Sequence, residues 1–197
     1  MRSLQIFKIR GIPFKLHPYW FAILFLFSWS ISNQVNLTSG EIYNIKEAWL
    51  IGFLTSFFLL STIIFHEVLH TFVSLNQGVK IKNITFYFLG AVLQIEKDCQ
   101  TALGNIKISM VRPLLCFSTA LILIFISNPS ESNEQIFTNI LNRVAMLNLF
   151  LGFLNLIPIG SLDGGNLLKS TIWYFSGSKN KGRNSLNKLT LDRKIVV

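Results

Sequence analysis

Charged residues are scarce in this chain, and acidic residues are the scarcer of the two kinds. Only 14% of its 197 residues are Asp, Glu, Lys or Arg, with 9 acidic side chains against 18 basic ones. A soluble globular domain usually carries about 25% charged residues. In contrast, 51% of the residues are hydrophobic and the mean hydropathy is +0.49. We therefore expect one membrane-embedded domain with several crossings and no large soluble domain.

Cysteine and histidine are also few. The two cysteines, Cys99 and Cys116, form neither a disulfide framework nor the paired spacing of a thiolate metal site, so we expect free thiols. The three histidines are His17, His66 and His70. A metal site in this chain would therefore depend on imidazole and carboxylate ligands.

Four apolar segments reach or approach the length of about 20 residues that a membrane crossing requires. They cover residues 16–31, 48–75, 108–127 and 136–157. The first is short and is interrupted by Pro18. The sequence predicts an all-α polytopic membrane protein with about four transmembrane helices.

The basic residues indicate how these segments are oriented. Four precede the first segment, four lie between the second and third, and seven follow the fourth, whereas the two remaining loops hold only Lys46. By the positive-inside rule, both termini and the loop after the second segment are cytosolic, in a bacterial plasma membrane or its equivalent. The basic residues are dispersed beside the lipid bilayer and not gathered in one motif, which argues against a nucleic-acid partner.

The second segment contains the motif His66-Glu67-Val68-Leu69-His70. On a helix, HExxH places two imidazoles one turn apart on the same face, where both can bind one zinc ion. The Glu between them can act as a general base for water. Apolar flanks place this motif within the membrane. The alternative is a chance match whose histidines bond to neighbouring helices, although a Glu at such depth is expensive and usually functional.

A second polar cluster, Asn155–Gly165, closes the fourth segment. A catalytic zinc normally has three protein ligands, and Asp163 is the natural third because the topology puts both motifs at a similar depth. Pro158 is expected to end the helix, and the glycines of the cluster to give irregular backbone. Alternatively, Asp163 is a turn residue before two glycines. His17 is interpreted as an interfacial anchor, and is the next candidate ligand.

Together the two motifs resemble those of the site-2 proteases, a family of intramembrane zinc metalloproteases. The resemblance rests on HExxH in one transmembrane segment and N-x-x-P-x-x-x-L-D-G-G, here Asn155–Gly165, in a later one. Residues 11–20 resemble the opening of shorter bacterial members, and residues 88–95 the membrane-associated loop or hairpin that follows HExxH. Residues 1–175 would form the membrane-embedded metalloprotease core, and residues 176–197 a basic cytosolic tail.

The resemblance implies proteolysis within the bilayer, with membrane-anchored proteins as substrates. By position, His66, His70 and Asp163 would bind Zn2+, Glu67 would activate water, and Asn155 would hold substrate or the oxyanion. A second hypothesis is an inactive homologue that binds transmembrane segments of partner proteins. A transporter is disfavoured because no inverted repeat is evident.

Arg112 is the main departure from the family pattern. Members often carry a small residue followed by Gly-Pro where this chain has Val111-Arg112-Pro113, and Arg does not allow the close backbone approach of Gly. We expect Arg112 and Arg143 to extend toward opposite membrane faces, or Arg143 to pair with a carboxylate inside the bundle. The departure favours the inactive homologue, whereas the intact Glu67 favours the enzyme.

Overall fold

The structure is a computed structural model that describes residues 4–38, 42–87, 90–127, 135–159 and 162–182. The chain divides into two compact units. Unit 1 comprises Met1–Phe65, Ile81–Ile95 and Ser118–Leu149, and unit 2 comprises His66–Lys80, Glu96–Phe117 and Phe150–Val197.

Helices make up most of the described chain. They are α1 (Tyr19–Thr38), α2 (Ile45–Asn76), α3 (Ala102–Ile126), α4 (Gln135–Leu156) and α5 (Asp163–Ser176). Three helices of the described part are long and apolar enough to cross a membrane: α2, α3 and, in α4, Ile136–Leu156. The helix α1 is not among them, although it extends past the predicted end at Ile31. A fourth crossing therefore stays a prediction.

The apolar surface of the three long helices is largely uncovered by protein. In their most apolar stretches only 39%, 22% and 33% of the residues are buried inside the molecule. Among the exposed side chains are Phe57, Leu121 and Phe153. A soluble protein rarely exposes contiguous apolar area of this kind, so the surface is typical of helices that contact lipid.

A four-stranded sheet corrects the all-α prediction. Its strands are β1 (Leu4–Ile9), β2 (Ile12–Leu16), β3 (Lys80–Tyr87) and β4 (Gly90–Lys97), in the order β1-β2-β3-β4. β1 and β2 are antiparallel, and β2 is parallel to β3. The pairing of β2 with β3 could not be predicted from the sequence, because α1 and α2 separate these strands and local residue patterns do not reveal a pairing between distant segments.

Unit 1 contains the junction between the sheet and α1. Phe14 and Phe86 are fully buried, and Trp20 packs edge-on against Phe86 with ring centroids 5.8 Å apart. The backbone N–H of His17 donates to the carbonyl of Phe86 at 3.0 Å, and the His17 ring contacts Tyr19. His17 thus lies where the chain passes from β2 into α1.

The predicted membrane-associated loop, residues 88–95, corresponds to β4 and the two residues before it. Residues 88 and 89 lie outside the described residues. Asn83 of β3 donates to Gln94 of β4 at 2.8 Å, so the two neighbouring strands also contact each other through side chains. The position of this segment relative to the membrane stays a prediction.

Unit 1 has an apolar core where α1, α2 and α4 meet. Its buried side chains are Val35, Tyr43, Ala48, Ile51, Ile140 and Val144. A glycine allows α1 and α2 to approach closely, since a Cβ at Gly52 would collide with the carbonyl oxygen of Ser28. The Asn36 side chain bonds to both the backbone N–H and the carbonyl of Tyr43, which closes the connection between these two helices.

In unit 2 the chain turns sharply between α4 and α5. α4 ends at Leu156, two residues before Pro158, as predicted. The prediction of irregular backbone is wrong for Asp163–Gly165, which form the first turn of α5, while residues 160–161 lie outside the described residues. A Cβ at Gly164 would collide with the backbone carbonyl of Leu156. The glycine therefore serves close helix approach, and it brings the start of α5 against the end of α4.

Candidate metal centre

The α2 helix positions three of the predicted site residues in unit 2. His66, Glu67 and His70 are all buried, and Glu67 is only 3% exposed. The helix is regular here, and the Ser74 hydroxyl donates to the carbonyl of His70 at 2.8 Å. The two imidazoles lie one turn apart, as the HExxH spacing requires.

Two of these side chains have buried polar atoms that are not satisfied by protein. Among the described residues, neither ring nitrogen of His70 has a hydrogen-bond partner, and Glu67 Oε1 has none. A buried polar atom without a partner costs about 1–3 kcal/mol. Three such atoms on one turn of a helix are typical of a site built to receive a polar ligand.

Asp163 brings a carboxylate to this turn from the start of α5. It is buried, and its Oδ1 lies 4.0 Å from His70 Nε2. Bonds from zinc to imidazole nitrogen and to carboxylate oxygen are both about 2.0–2.2 Å, so a small closing movement would let these two atoms share one ion. Two imidazoles and a carboxylate fit zinc by donor type. Within the described ranges, no three His, Cys, Asp or Glu side chains are already arranged so that they could hold a metal ion.

Arg112 of α3 contacts both carboxylates of the site. Its Nη1 donates to Asp163 Oδ1 at 3.3 Å and to Oδ2 at 3.1 Å, and its Nη2 donates to Glu67 Oε2 at 2.5 Å. The prediction that Arg112 extends toward a membrane face is wrong. A guanidinium binds carboxylates most strongly where water is excluded, and here two carboxylates lie within its reach.

Cys116 is the second member of the site on α3. Its thiol lies 3.5 Å from His66 Nδ1, and the side chain of Asn155 lies close to the thiol. Both cysteines of the chain are free, as predicted, and both are buried. Asn155 therefore lies near a thiol that also contacts the first histidine of the motif.

The sequence analysis missed the roles of Arg112 and Cys116. These two residues are four apart on α3 and therefore lie on one face of the helix. An arginine within an apolar helix is expensive and usually functional. The cost of placing a charge in an apolar helix was therefore the feature of the sequence that could have marked Arg112 as a site residue. No comparable signal singled out Cys116.

The chain is similar to known metalloproteases over most of its length. The profile of peptidase family M50 matches residues 123–191, which include Asn155 and Asp163. A Synechocystis protein that bears a provisional zinc metalloprotease name is 31% identical over 186 residues, or 91% of this chain. A protein of Methanocaldococcus jannaschii named as a zinc metalloprotease is 31% identical over 170 residues, or 86% of this chain.

A solved structure extends this similarity to the fold. The site-2 protease from Methanocaldococcus jannaschii superposes with a TM-score of 0.56 at 28% sequence identity. The matched region covers 88% of this chain and 73% of that protein. The chain spans about half the length of the curated relatives, 47% of the Synechocystis protein and 45% of the Methanocaldococcus one.

Proposed function

We propose that this chain belongs to peptidase family M50, the site-2 protease family, and is a zinc endopeptidase that cleaves transmembrane segments of membrane-anchored proteins. One observation carries the proposal. In a helix apolar enough to cross a membrane, two buried histidines and a buried glutamate lie on one turn, and the carboxylate of a buried aspartate from another helix lies 4.0 Å from the second histidine. Ionisable groups at such a depth are rare and usually functional.

In this proposal His66, His70 and Asp163 would hold the zinc ion. When bound, zinc supplies Lewis acidity toward the scissile carbonyl and toward water. The Glu67 carboxylate has two different oxygens. Oε2 accepts the hydrogen bond from Arg112, whereas Oε1 has no partner among the described residues and can take the proton of the attacking water. Glu67 would then pass that proton to the departing amide nitrogen.

Asn155 would contact the substrate near the reacting carbonyl, as the family motif implies. Its proximity to the Cys116 thiol, which contacts His66 Nδ1, supports a position near the site. A substrate helix must also lose its own hydrogen bonds before its backbone can enter such a site. We therefore propose that helix-destabilising Gly or Pro residues near the cut favour cleavage over an all-Leu span.

The first experiment compares the wild-type chain with Glu67→Gln on the same membrane-spanning reporter. The substitution keeps size and hydrogen bonding but removes the base, so cleavage should fall by about 10²–10⁴-fold while zinc content is kept. Glu96→Gln is the matched control, because Glu96 is exposed and its substitution should leave cleavage unchanged. Equal turnover by wild type and Glu67→Gln would contradict the proposed mechanism.

The topology proposed with this function is multi-pass, with four crossings and both termini in the cytosol. Single cysteines at Ser39 and Ser132 should react with an impermeant thiol reagent in intact cells, and one at Asn105 should not. The parent chain is the control, since its own two cysteines are buried. Labelling at Asn105 but not at Ser39 would reverse the orientation.

Arg112 favours a second candidate function, an inactive homologue that binds transmembrane segments of partners. Its guanidinium engages the proposed base and the proposed third ligand at the same time. A zinc-loaded wild-type chain that cleaves none of several reporters, yet binds them, would favour this alternative over the enzyme.

A further inference from the structure

Arg112 is the cation of the site as the structure stands. Its side chain is 25% exposed, while those of its partners Glu67 and Asp163 are 4% and 5% exposed. The three contacts use both oxygens of Asp163 and one of Glu67. Two buried carboxylates thus share one guanidinium, which neutralises one of their two charges.

We propose that Arg112 is a built-in counter-cation that competes with zinc for the site, so that its contacts with Asp163 and zinc binding weaken each other. This inference rests on the proposed function, because it takes His66, His70 and Asp163 as the zinc ligands. It assigns to Arg112 a regulatory role: the guanidinium sets how much zinc is needed to load the site.

The competition follows from the position of the Asp163 oxygens. Oδ1 is the oxygen near His70 Nε2, at 4.0 Å, and the same oxygen accepts from Arg112 Nη1 at 3.3 Å. A metal ion shared with His70 would need a lone pair of this atom. It would also bring a divalent charge close to the guanidinium, and like charges in a site of low dielectric repel strongly. Metal binding and the present Arg112 contacts therefore oppose each other.

The unpartnered nitrogens of His70 distinguish this arrangement from a salt bridge that only stabilises the fold. Arg112 satisfies the two carboxylates, yet among the described residues it leaves both ring nitrogens of His70 without a partner. His70 is the one side chain of the described residues with two buried polar atoms that lack a partner, which is costly for a buried imidazole. The two nitrogens of His70 can therefore accept a ligand, whereas the carboxylates of Glu67 and Asp163 are bonded to Arg112.

The test is the zinc affinity of the full-length protein in detergent, measured by competition with a chelating dye. Arg112→Met removes the charge at similar length and should bind zinc about tenfold more tightly than wild type, or better. Arg112→Lys keeps a charge but lacks the planar fork that can bridge two carboxylates, so its affinity should lie between the two. Arg143→Met is the matched control: Arg143 lies in α4 within unit 1, donates to the carbonyl of Val35, and should leave zinc affinity unchanged.

A melting experiment gives a second measurement that does not depend on activity. In chelator, Arg112→Met should melt below wild type, because two buried carboxylates are left without a cation. Added zinc should then raise its melting temperature by more than it raises that of wild type, since stabilisation by a ligand grows with affinity. A variant that is folded only with zinc would give the same support.

The outcomes separate this inference from the proposed function. If wild type binds zinc and both Arg112 variants bind it equally well or more weakly, the competition is overturned and the zinc site stands. If neither wild type nor the variants bind zinc through His66 and His70, both proposals fail. A merely structural Arg112 would lower the melting temperature in chelator without raising zinc affinity.

Discussion

The two units of this protein bury different kinds of polar group. In the described part of unit 1 the buried polar side chains are hydroxyls and amides, such as Ser28, Thr55 and Asn148. In unit 2 the buried set includes His66, Glu67, His70 and Asp163. Hydroxyl and amide donors can bond to a carbonyl of their own helix, as Ser28 does with Leu24 and Asn148 with Val144. Buried ionisable groups need partners from other elements, and the contacts between such groups are concentrated in unit 2.

The two arginines within the long helices show the same difference. In unit 1 Arg143 donates to a backbone carbonyl, that of Val35, at 3.4 Å. In unit 2 Arg112 donates to two carboxylates. Position within an apolar segment therefore does not decide where the side chain of an arginine extends. The acceptors that the neighbouring elements supply decide it.

The largest effect that we expect on zinc binding comes from removing the two histidines of unit 2. With saturating zinc, His66→Ala and His70→Ala should each lose the metal almost completely, by more than the 10–100-fold typical of an outer-shell change. His17→Ala is the matched control from unit 1 and should keep its zinc. Bound zinc is measured by elemental analysis after gel filtration.

The same assay examines the third ligand. Asp163→Ala should weaken zinc binding but not abolish it, because two imidazoles remain. Unchanged affinity in Asp163→Ala together with a loss in His17→Ala would move the third ligand to His17, and the contrast between the units would then no longer hold.

A smaller effect, which should again differ between the two units, is expected when either of two glycines is replaced by alanine. Gly52→Ala in unit 1 and Gly164→Ala in unit 2 each place a Cβ against a backbone carbonyl, of Ser28 and Leu156 respectively. Each substitution should destabilise the protein by about 1–3 kcal/mol, the usual cost of overpacking, and this is measured as a lower melting temperature in detergent. Only Gly164→Ala should also weaken zinc binding, because it displaces the helix start that carries Asp163. Equal zinc affinity in the two variants would show that the position of α5 is not critical.

Local patterns in the sequence predicted the helical part of the fold well. Long apolar runs correspond to α2, α3 and α4, and Pro158 marks the end of α4 within two residues. The HExxH spacing placed two imidazoles on one helical face, which needs only helical periodicity. Asp163 was located through its depth along the membrane normal, and the structure brings it within 4.0 Å of His70.

Contacts between distant segments could not be predicted in the same way. The parallel pairing of β2 with β3 joins Phe14 to Ile84, across two helices, and no local pattern reports such a partner. Arg112 was assigned to the membrane surface because a long charged side chain in a helix usually reaches water. Its true partners come from α2 and α5, and only the folded chain shows that both carboxylates meet on its side.

The Arg112 cluster has a consequence for newly made protein in the cell. Two buried carboxylates without a cation would destabilise the fold by about 3–5 kcal/mol, a large share of the roughly 5–15 kcal/mol that keeps a typical protein folded. Because the guanidinium supplies that cation from within the chain, folding is uncoupled from the supply of metal. Under the proposed function, zinc starvation should then silence this protein without exposing it to quality-control proteases. A version with glycine at position 112 should instead become scarce when zinc is scarce.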